Sequence, residues 1–278
     1  MRINKFGMNA IQYILLIAYL AFLVFPLAWM FSTSIKPTPE IYSATPTLLP
    51  RQPTGAHYLS AFTEDRIGRS ILNSLQVGLL ATAAVIALAL PAAYALARYR
   101  TALNKAALGW ILASQIFPAI LIMAPLYLVL RNLRLTDSLF GLAVVYVVWS
   151  LPFVLWMLEG YVRGVPVELE EAAAMDGASR LQIIFRVLMP VLLPAVGASA
   201  LFAFISAWNE FFFALVLLKN QSLITLPVDL ARFTGMEGQA RTGPLAAASF
   251  VATIPSLALF GFLQKWFSSG LTSGALKN

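Results

Sequence analysis

Glu168, Glu170, Glu171 and Asp176 crowd into one short stretch of the segment VPVELEEAAAMDGASRLQIIFRVLMPVLLP, residues 165–194, and are four of only twelve acids in the chain. Clustered carboxylates can ligate a metal ion, share acid–base work, or present negative charge to a partner. The chain offers little for the first two. It has no cysteine and a single histidine, His57, in a proline-rich connection, so no metal-ligand set can be assembled around it and it reads as a solvated loop residue. No Ser/His/Asp set with a plausible base and no paired carboxylates at a cleft can be picked out. The pattern G-x-x-x-x-G-K-[ST] is absent, which excludes a P-loop nucleotide site.

The segment predicts two short helices joined at a glycine. Pro166 suits a first helical position, and the glutamates that follow sit where the helix dipole favours negative charge. Leu169, Ala172 and Ala173 fall on one face at helical spacing. Gly177 stands where a helix exits through a left-handed residue. Ser179-Arg180-Leu181-Gln182 has a capping-box pattern, and Leu181, Ile184, Phe185 and Leu188 form an apolar stripe that Pro190 and Pro194 interrupt. Such an elbow suits a groove on another protein. Periodicity alone equally allows an amphipathic elbow lying on a membrane surface.

The elements around the elbow are built for lipid. The 278 residues are 60% hydrophobic and 11% charged, with a mean hydropathy of +0.79. A soluble domain carries about 25% charged residues. The net charge of +7 is scattered over the chain and forms no phosphate-tracking stripe, so nucleic acid is not an expected partner. Apolar runs predict six membrane spans at 11–31, 71–97, 107–130, 139–158, 195–218 and 244–266, an all-α polytopic fold in one domain over 1–278. The first run is too long for a signal peptide. Six spans place both termini and the 159–190 elbow loop on one side. Lys and Arg divide almost evenly between the sides; only Arg2, Lys5 and the Arg98–Lys105 turn favour an inside elbow. No internal repeat is visible, which argues against secondary transporters built from inverted repeats.

Several polar residues stand within or beside these spans. Glu210 is expected inside the fifth, about 22 Å from its inner end. An intramembrane carboxylate either serves a transport path or pairs near the interface. Trp208 and Asn209 beside it could meet sugar rings and hydroxyls, although neighbours on a helix point in different directions. Gln115, Asn73 and Gln76 are equally readable as helix–helix hydrogen bonds.

The string Glu171-Ala172-Ala173-Ala174-Met175-Asp176-Gly177-Ala178, followed by Val187-Leu188-Met189-Pro190, resembles the EAA loop of permease subunits in bacterial ATP-binding-cassette importers. That pattern runs EAA, three residues, G, nine residues, then I-x-L-P; here Val187 replaces Ile and Met189 replaces Leu. Phe31 to Pro37, Ala93 to Arg98, Trp208-Asn209-Glu210 and Gly270 to Ala275 resemble the maltose-type branch, so the resemblance covers nearly the whole chain.

The resemblance implies a type I importer permease fold, non-enzymatic, in the bacterial inner membrane with both termini cytoplasmic. Its implied partners are a larger permease, two ATPase subunits that bind the ATP and Mg, and an extracytoplasmic sugar-binding protein. It implies ATPase coupling through Glu171, Ala172, Ala173, Asp176, Gly177 and Pro190. The loop 219–243, with Phe233, Thr234 and Gly235, resembles one that reaches into the binding protein, and by composition is a solvated connection. The tail 270–278 is implied to lie against the ATPases; by composition it is a flexible end. An oligosaccharide such as maltose or trehalose is the expected cargo. A polyol or glycerol-phosphate importer is an alternative, and an ATPase-independent secondary transporter is another.

Overall fold

A computed structural model describes residues 5–99, 102–234 and 241–275, and among them the regular structure is helical with no strand. The principal helices are α1 (Lys5–Ser34), α2 (Ala56–Thr63), α3 (Ile67–Arg98), α4 (Ala102–Ser114), α5 (Ala119–Asn132) and α6 (Leu139–Gly164). After them come α7 (Glu168–Met175), α8 (Arg180–Trp208, containing a π turn at Ile183–Leu188), α9 (Phe212–Leu217), α10 (Leu226–Arg232) and α11 (Thr242–Ala275). Among the described residues five helices are long and apolar enough to cross a membrane: Ile11–Ser34, Ile67–Arg98, Leu139–Gly164, Arg180–Trp208 and Thr242–Gln264. A helix satisfies its own backbone groups, which is what hydrocarbon demands.

The expected third span, 107–130, is two helices, α4 and α5, with a break at residues 115–118. Pro118 supplies no N–H and disfavours helical backbone at Phe117, so the ladder stops there and restarts from Pro118 as the cap of α5. The expected fifth span, 195–218, is displaced. Its helix starts at Arg180, passes through Pro190 and Pro194, and ends at Trp208 before the short α9. The π turn lies immediately before Pro190, and the Met189 N–H bonds to the Ile184 carbonyl five residues back. Widening the helix here accommodates the missing proline N–H, so the prolines do not interrupt the elbow's second arm.

Two further boundaries differ. The loop expected over 159–190 shrinks at both ends, because α6 runs to Gly164 and α8 begins at Arg180. That places Glu159 inside α6, buried and paired with Arg163 one turn on. The tail expected to be flexible continues α11 as helix to Ala275.

The backbone divides into two compact units. One comprises residues 1–68 and 229–254, the other 69–228 and 255–278. In the first, the side chains from Ile11 to Ala28 are exposed, as a lipid-facing helix requires, whereas Ser32, Thr33, Ser34 and Lys36 are buried. His57 is buried rather than solvated, with Nε2 2.8 Å from the Lys36 carbonyl. Gly243 packs on this ring so closely that an added Cβ would lie 2.3 Å from it.

The second unit holds two apolar clusters. One gathers Val85, Ala89, Leu158, Ile183 and Leu188 around the elbow. The other gathers Val77, Leu142, Tyr146, Phe213 and Leu217 nearer the far end of α8. Between α3 and α8, Gly78 meets Phe204; a Cβ there would lie 3.1 Å from the ring. In lipid, helix association gains little from apolar burial itself, so close packing and polar pairs decide the arrangement.

Candidate functional site

The elbow's geometry is set locally. The α7 backbone starts from Val167, one residue after Pro166, which therefore precedes the cap rather than opening the helix. At the other end Gly177 adopts φ +81°. Its N–H donates to the Ala174 carbonyl at 3.0 Å and the Ala178 N–H to the Ala173 carbonyl at 3.0 Å, the paired bonds of a Schellman turn. An added Cβ at Gly177 would meet nothing within 4 Å, so the need for glycine is conformational and not steric. Ser179 then caps the second arm: its Oγ accepts from the Gln182 N–H, and its own N–H donates to Gln182 Oε1 at 2.7 Å.

The face expected to carry Leu169, Ala172 and Ala173 together is split. Leu169 and Ala172 point outward with Met175, which is 89% exposed, and Glu171, Asp176 and Gly177 are exposed beside them. Ala173 and Ala178 pack against the apolar cluster. On the second arm Ile183, Ile184 and Leu188 are buried while Leu181 and Phe185 are exposed, a register shift that the π turn produces. Pro190 is exposed on α8, apart from the tip.

The residue that turns inward on α7 is Glu170, 7% exposed. Its Oε1 accepts from Arg98 Nε at 2.6 Å and its Oε2 from the Tyr94 hydroxyl at 3.0 Å. Arg98 Nη2 also donates to the Val165 carbonyl at 2.9 Å. Tyr94 and Arg98 are four apart on α3 and so reach the same point. On the other arm Arg180 donates to the Tyr99 hydroxyl and lies 5.4 Å from its ring centroid. One end of α3 thus grips both arms of an elbow whose apolar and acidic tip is left bare. The sequence assigns Glu170 no site, and the four-residue spacing of Tyr94 and Arg98 is the one signal in it that could have found the grip.

A family profile described as the binding-protein-dependent transport system inner membrane component matches residues 86–273, taking in the grip, the elbow and all of α8. The chain belongs to that family. It is 37% identical over 255 residues to the diacetylchitobiose uptake system permease protein DasC of Streptomyces coelicolor, covering 92% of each chain. It is 35% identical over 253 residues to the trehalose transport system permease protein SugB of Mycobacterium tuberculosis, covering 91% of this chain and 92% of that one. Its fold is similar to a chain in the crystal structure of a bacterial ABC transporter involved in the import of the acidic polysaccharide alginate. That match has a TM-score of 0.81 at 25% identity and covers 96% of this chain and 98% of the other. The chain is accordingly a multi-pass membrane component of a carbohydrate ABC-transporter type.

In this transport-system component the remaining candidate residues are scattered. Glu210 lies at the break between α8 and α9, not inside a helix. Its Oε1 accepts from the Phe213 N–H at 2.8 Å; its Oε2 accepts from the Ala214 N–H at 3.1 Å and the Tyr146 hydroxyl at 2.9 Å. Trp208 is buried against Phe204, with centroids 5.7 Å apart. Asn209 is exposed and bonds back to the Ile205 carbonyl at 3.0 Å. The three neighbours do not share a face. Asn73 is buried and donates to the Ser222 and Ile224 carbonyls at 3.1 and 2.9 Å, a structural brace. Gln115 sits exposed in the break between α4 and α5, 3.4 Å from the Trp149 carbonyl.

Of the loop candidates, Phe233 is buried, with the Arg241 guanidinium 5.6 Å from its ring centroid. Thr234 is exposed and bonds to the Ala231 carbonyl; Gly235 lies outside the described residues. Arg241 itself is held by Asp65 at 2.7 Å and the Ser60 hydroxyl at 2.8 Å. Arg241 and Ser60 border a cavity of about 900 Å³ with Tyr42, His57 and Thr242 in its wall, and Phe233 and Thr234 are not part of its lining.

Proposed function

We propose that this chain is the smaller membrane subunit of an ATP-driven importer that takes an oligosaccharide from an extracytoplasmic binding protein. It pairs with a larger permease to form the path. Two ATPase subunits bind ATP and Mg, and neither these groups nor any catalysis resides in this chain. The elbow and both termini face the cytoplasm of a bacterial cell. The observation that carries the reading is the bare elbow tip: Leu169, Ala172 and Met175 face outward with Glu171 and Asp176 exposed beside them. An apolar strip with a bend fixed at Gly177 fits a groove on a partner. The cargo class is supported by the relatives named for diacetylchitobiose and trehalose and by the neighbour named for alginate.

Function then divides by region. Glu171 makes the polar contact with the ATPase, Ala172 and Ala173 permit close approach, Gly177 sets the bend, and Asp176 and Pro190 complete the coupling loop. Glu210, Asn209, Trp208, Gln115 and Asn73 bear on the path, chiefly by shaping the helices that line it. The test is affinity purification of the tagged chain from its native membrane with partners identified and counted. One larger permease and two ATPase copies are expected, with ATP hydrolysis stimulated by one sugar in the presence of the binding protein. Recovery of the chain alone, or as a homo-oligomer without an ATPase, would overturn the reading.

A further inference from the structure

Glu170 is the only buried side chain of the eight-residue helix α7. The first arm of the elbow is therefore fastened to the protein chiefly through one carboxylate, and that carboxylate is held by Arg98 and Tyr94 of α3. Resting on the importer reading above, we propose that the Tyr94–Arg98–Glu170 contact is the joint through which movement of the elbow is delivered to the membrane spans. Glu170 and Arg98 act as positioning residues.

The geometry distinguishes a joint from ordinary packing. Apolar contacts tolerate sliding, whereas a charge-assisted hydrogen bond fixes distance and direction together. Arg98 and Glu170 side chains are 12% and 8% exposed, so the pair is little screened by salt. The same guanidinium holds the Val165 carbonyl just past the end of α6, so α3, the exit of α6 and α7 meet at one group. The second arm is held by the Arg180–Tyr99 contact, which is exposed and correspondingly weaker. From Arg98, α3 runs back as one helix of 32 residues that passes through Pro91, about 48 Å at 1.5 Å per residue. A push on the exposed tip thus reaches α3 through this pair, in addition to α6 and α8 through the chain itself. Without the buried pair, α7 would pivot on the short connections at 165–167 and 176–179, and the push would be spent locally.

The test uses the whole importer in vesicles and reads sugar uptake per ATP hydrolysed. Glu170→Gln keeps the side chain's shape and removes its charge. It is expected to lower the uptake-to-hydrolysis ratio about tenfold, within the range of ordinary coupling energies. Tyr94→Phe removes one hydroxyl, and the ratio should fall in the same direction by a smaller factor. A ratio equal to wild type in Tyr94→Phe, with uptake and hydrolysis in Glu170→Gln unchanged or falling in proportion, would make the contact a fold brace and overturn the proposal. Should Glu170→Gln fail to assemble, Tyr94→Phe decides alone on the same ratio. A wild-type complex whose uptake needs no ATP would overturn the importer reading and this proposal with it. An unchanged ratio in a working wild-type complex overturns only the joint.

Discussion

Two tyrosine–glutamate pairs lie in the unit formed mainly by residues 69–228, and they do different things. Tyr94 donates to Glu170 at 3.0 Å and Tyr146 to Glu210 at 2.9 Å. The difference lies in what else answers the carboxylate. Glu170 takes a guanidinium from a helix 72 positions away in sequence, so its charge ties two distant elements together. Glu210 takes two backbone N–H groups from the residues just after it, so its charge chiefly completes a local break between α8 and α9. The elbow lies just before α8 and the Glu210 break just after it, and α8 is 29 residues long, about 44 Å at 1.5 Å per residue. A buried acid in a membrane protein is thus not one kind of signal: the source of its compensating donors decides whether it joins elements or shapes one.

The largest effect should come from removing the cation. Arg98→Ala leaves Glu170 buried without its charge partner, a change of about 3–5 kcal/mol. The prediction is a sharply lower melting temperature of the purified complex, with no equivalent cation to remove at Glu210. Next come the hydroxyls. Tyr94→Phe and Tyr146→Phe each lose a hydrogen bond to a carboxylate, about 2 kcal/mol by melting. Only Tyr94→Phe should also alter uptake per ATP; equal loss of coupling in both would erase the distinction between the pairs.

Gly177→Ala forces a side chain into a left-handed residue, about 1–2 kcal/mol, and the bulkier Gly177→Val should uncouple hydrolysis from uptake while the chain still inserts. Normal uptake in the valine variant would contradict the elbow's role. The smallest stability effect belongs to Glu210→Gln, whose amide oxygen can still accept from the Phe213 or Ala214 N–H; about 1 kcal/mol or less is expected. Abolished uptake in that variant at near-normal melting would place Glu210 directly on the sugar path rather than behind it.

The elbow was legible because its determinants are local. Gly177, Ser179 and Gln182 act over three or four residues, and the structure shows the turn and capping box they encode. The grip was not, because Tyr94 and Glu170 are 76 positions apart and no short-range pattern links them. The split of the α7 face escaped for the same reason: Leu169, Ala172 and Ala173 are expected on one face, yet only Ala173 turns toward the core, beside the buried Glu170. Hydropathy bridged both helix breaks, since an apolar window does not register the lost backbone bonds at Pro118 or at Asn209–Phe211. His57 looked like loop and is core, because the Lys36 carbonyl and Gly243 that enclose it come from distant segments.

The most direct test of the central claim is photocrosslinking from the elbow tip. With a photoreactive residue replacing Met175, 89% exposed in the isolated chain, irradiation of native membranes should give one adduct, to an ATPase subunit. Adducts to lipid alone would mean that the elbow lies on the membrane surface and that the coupling account is wrong.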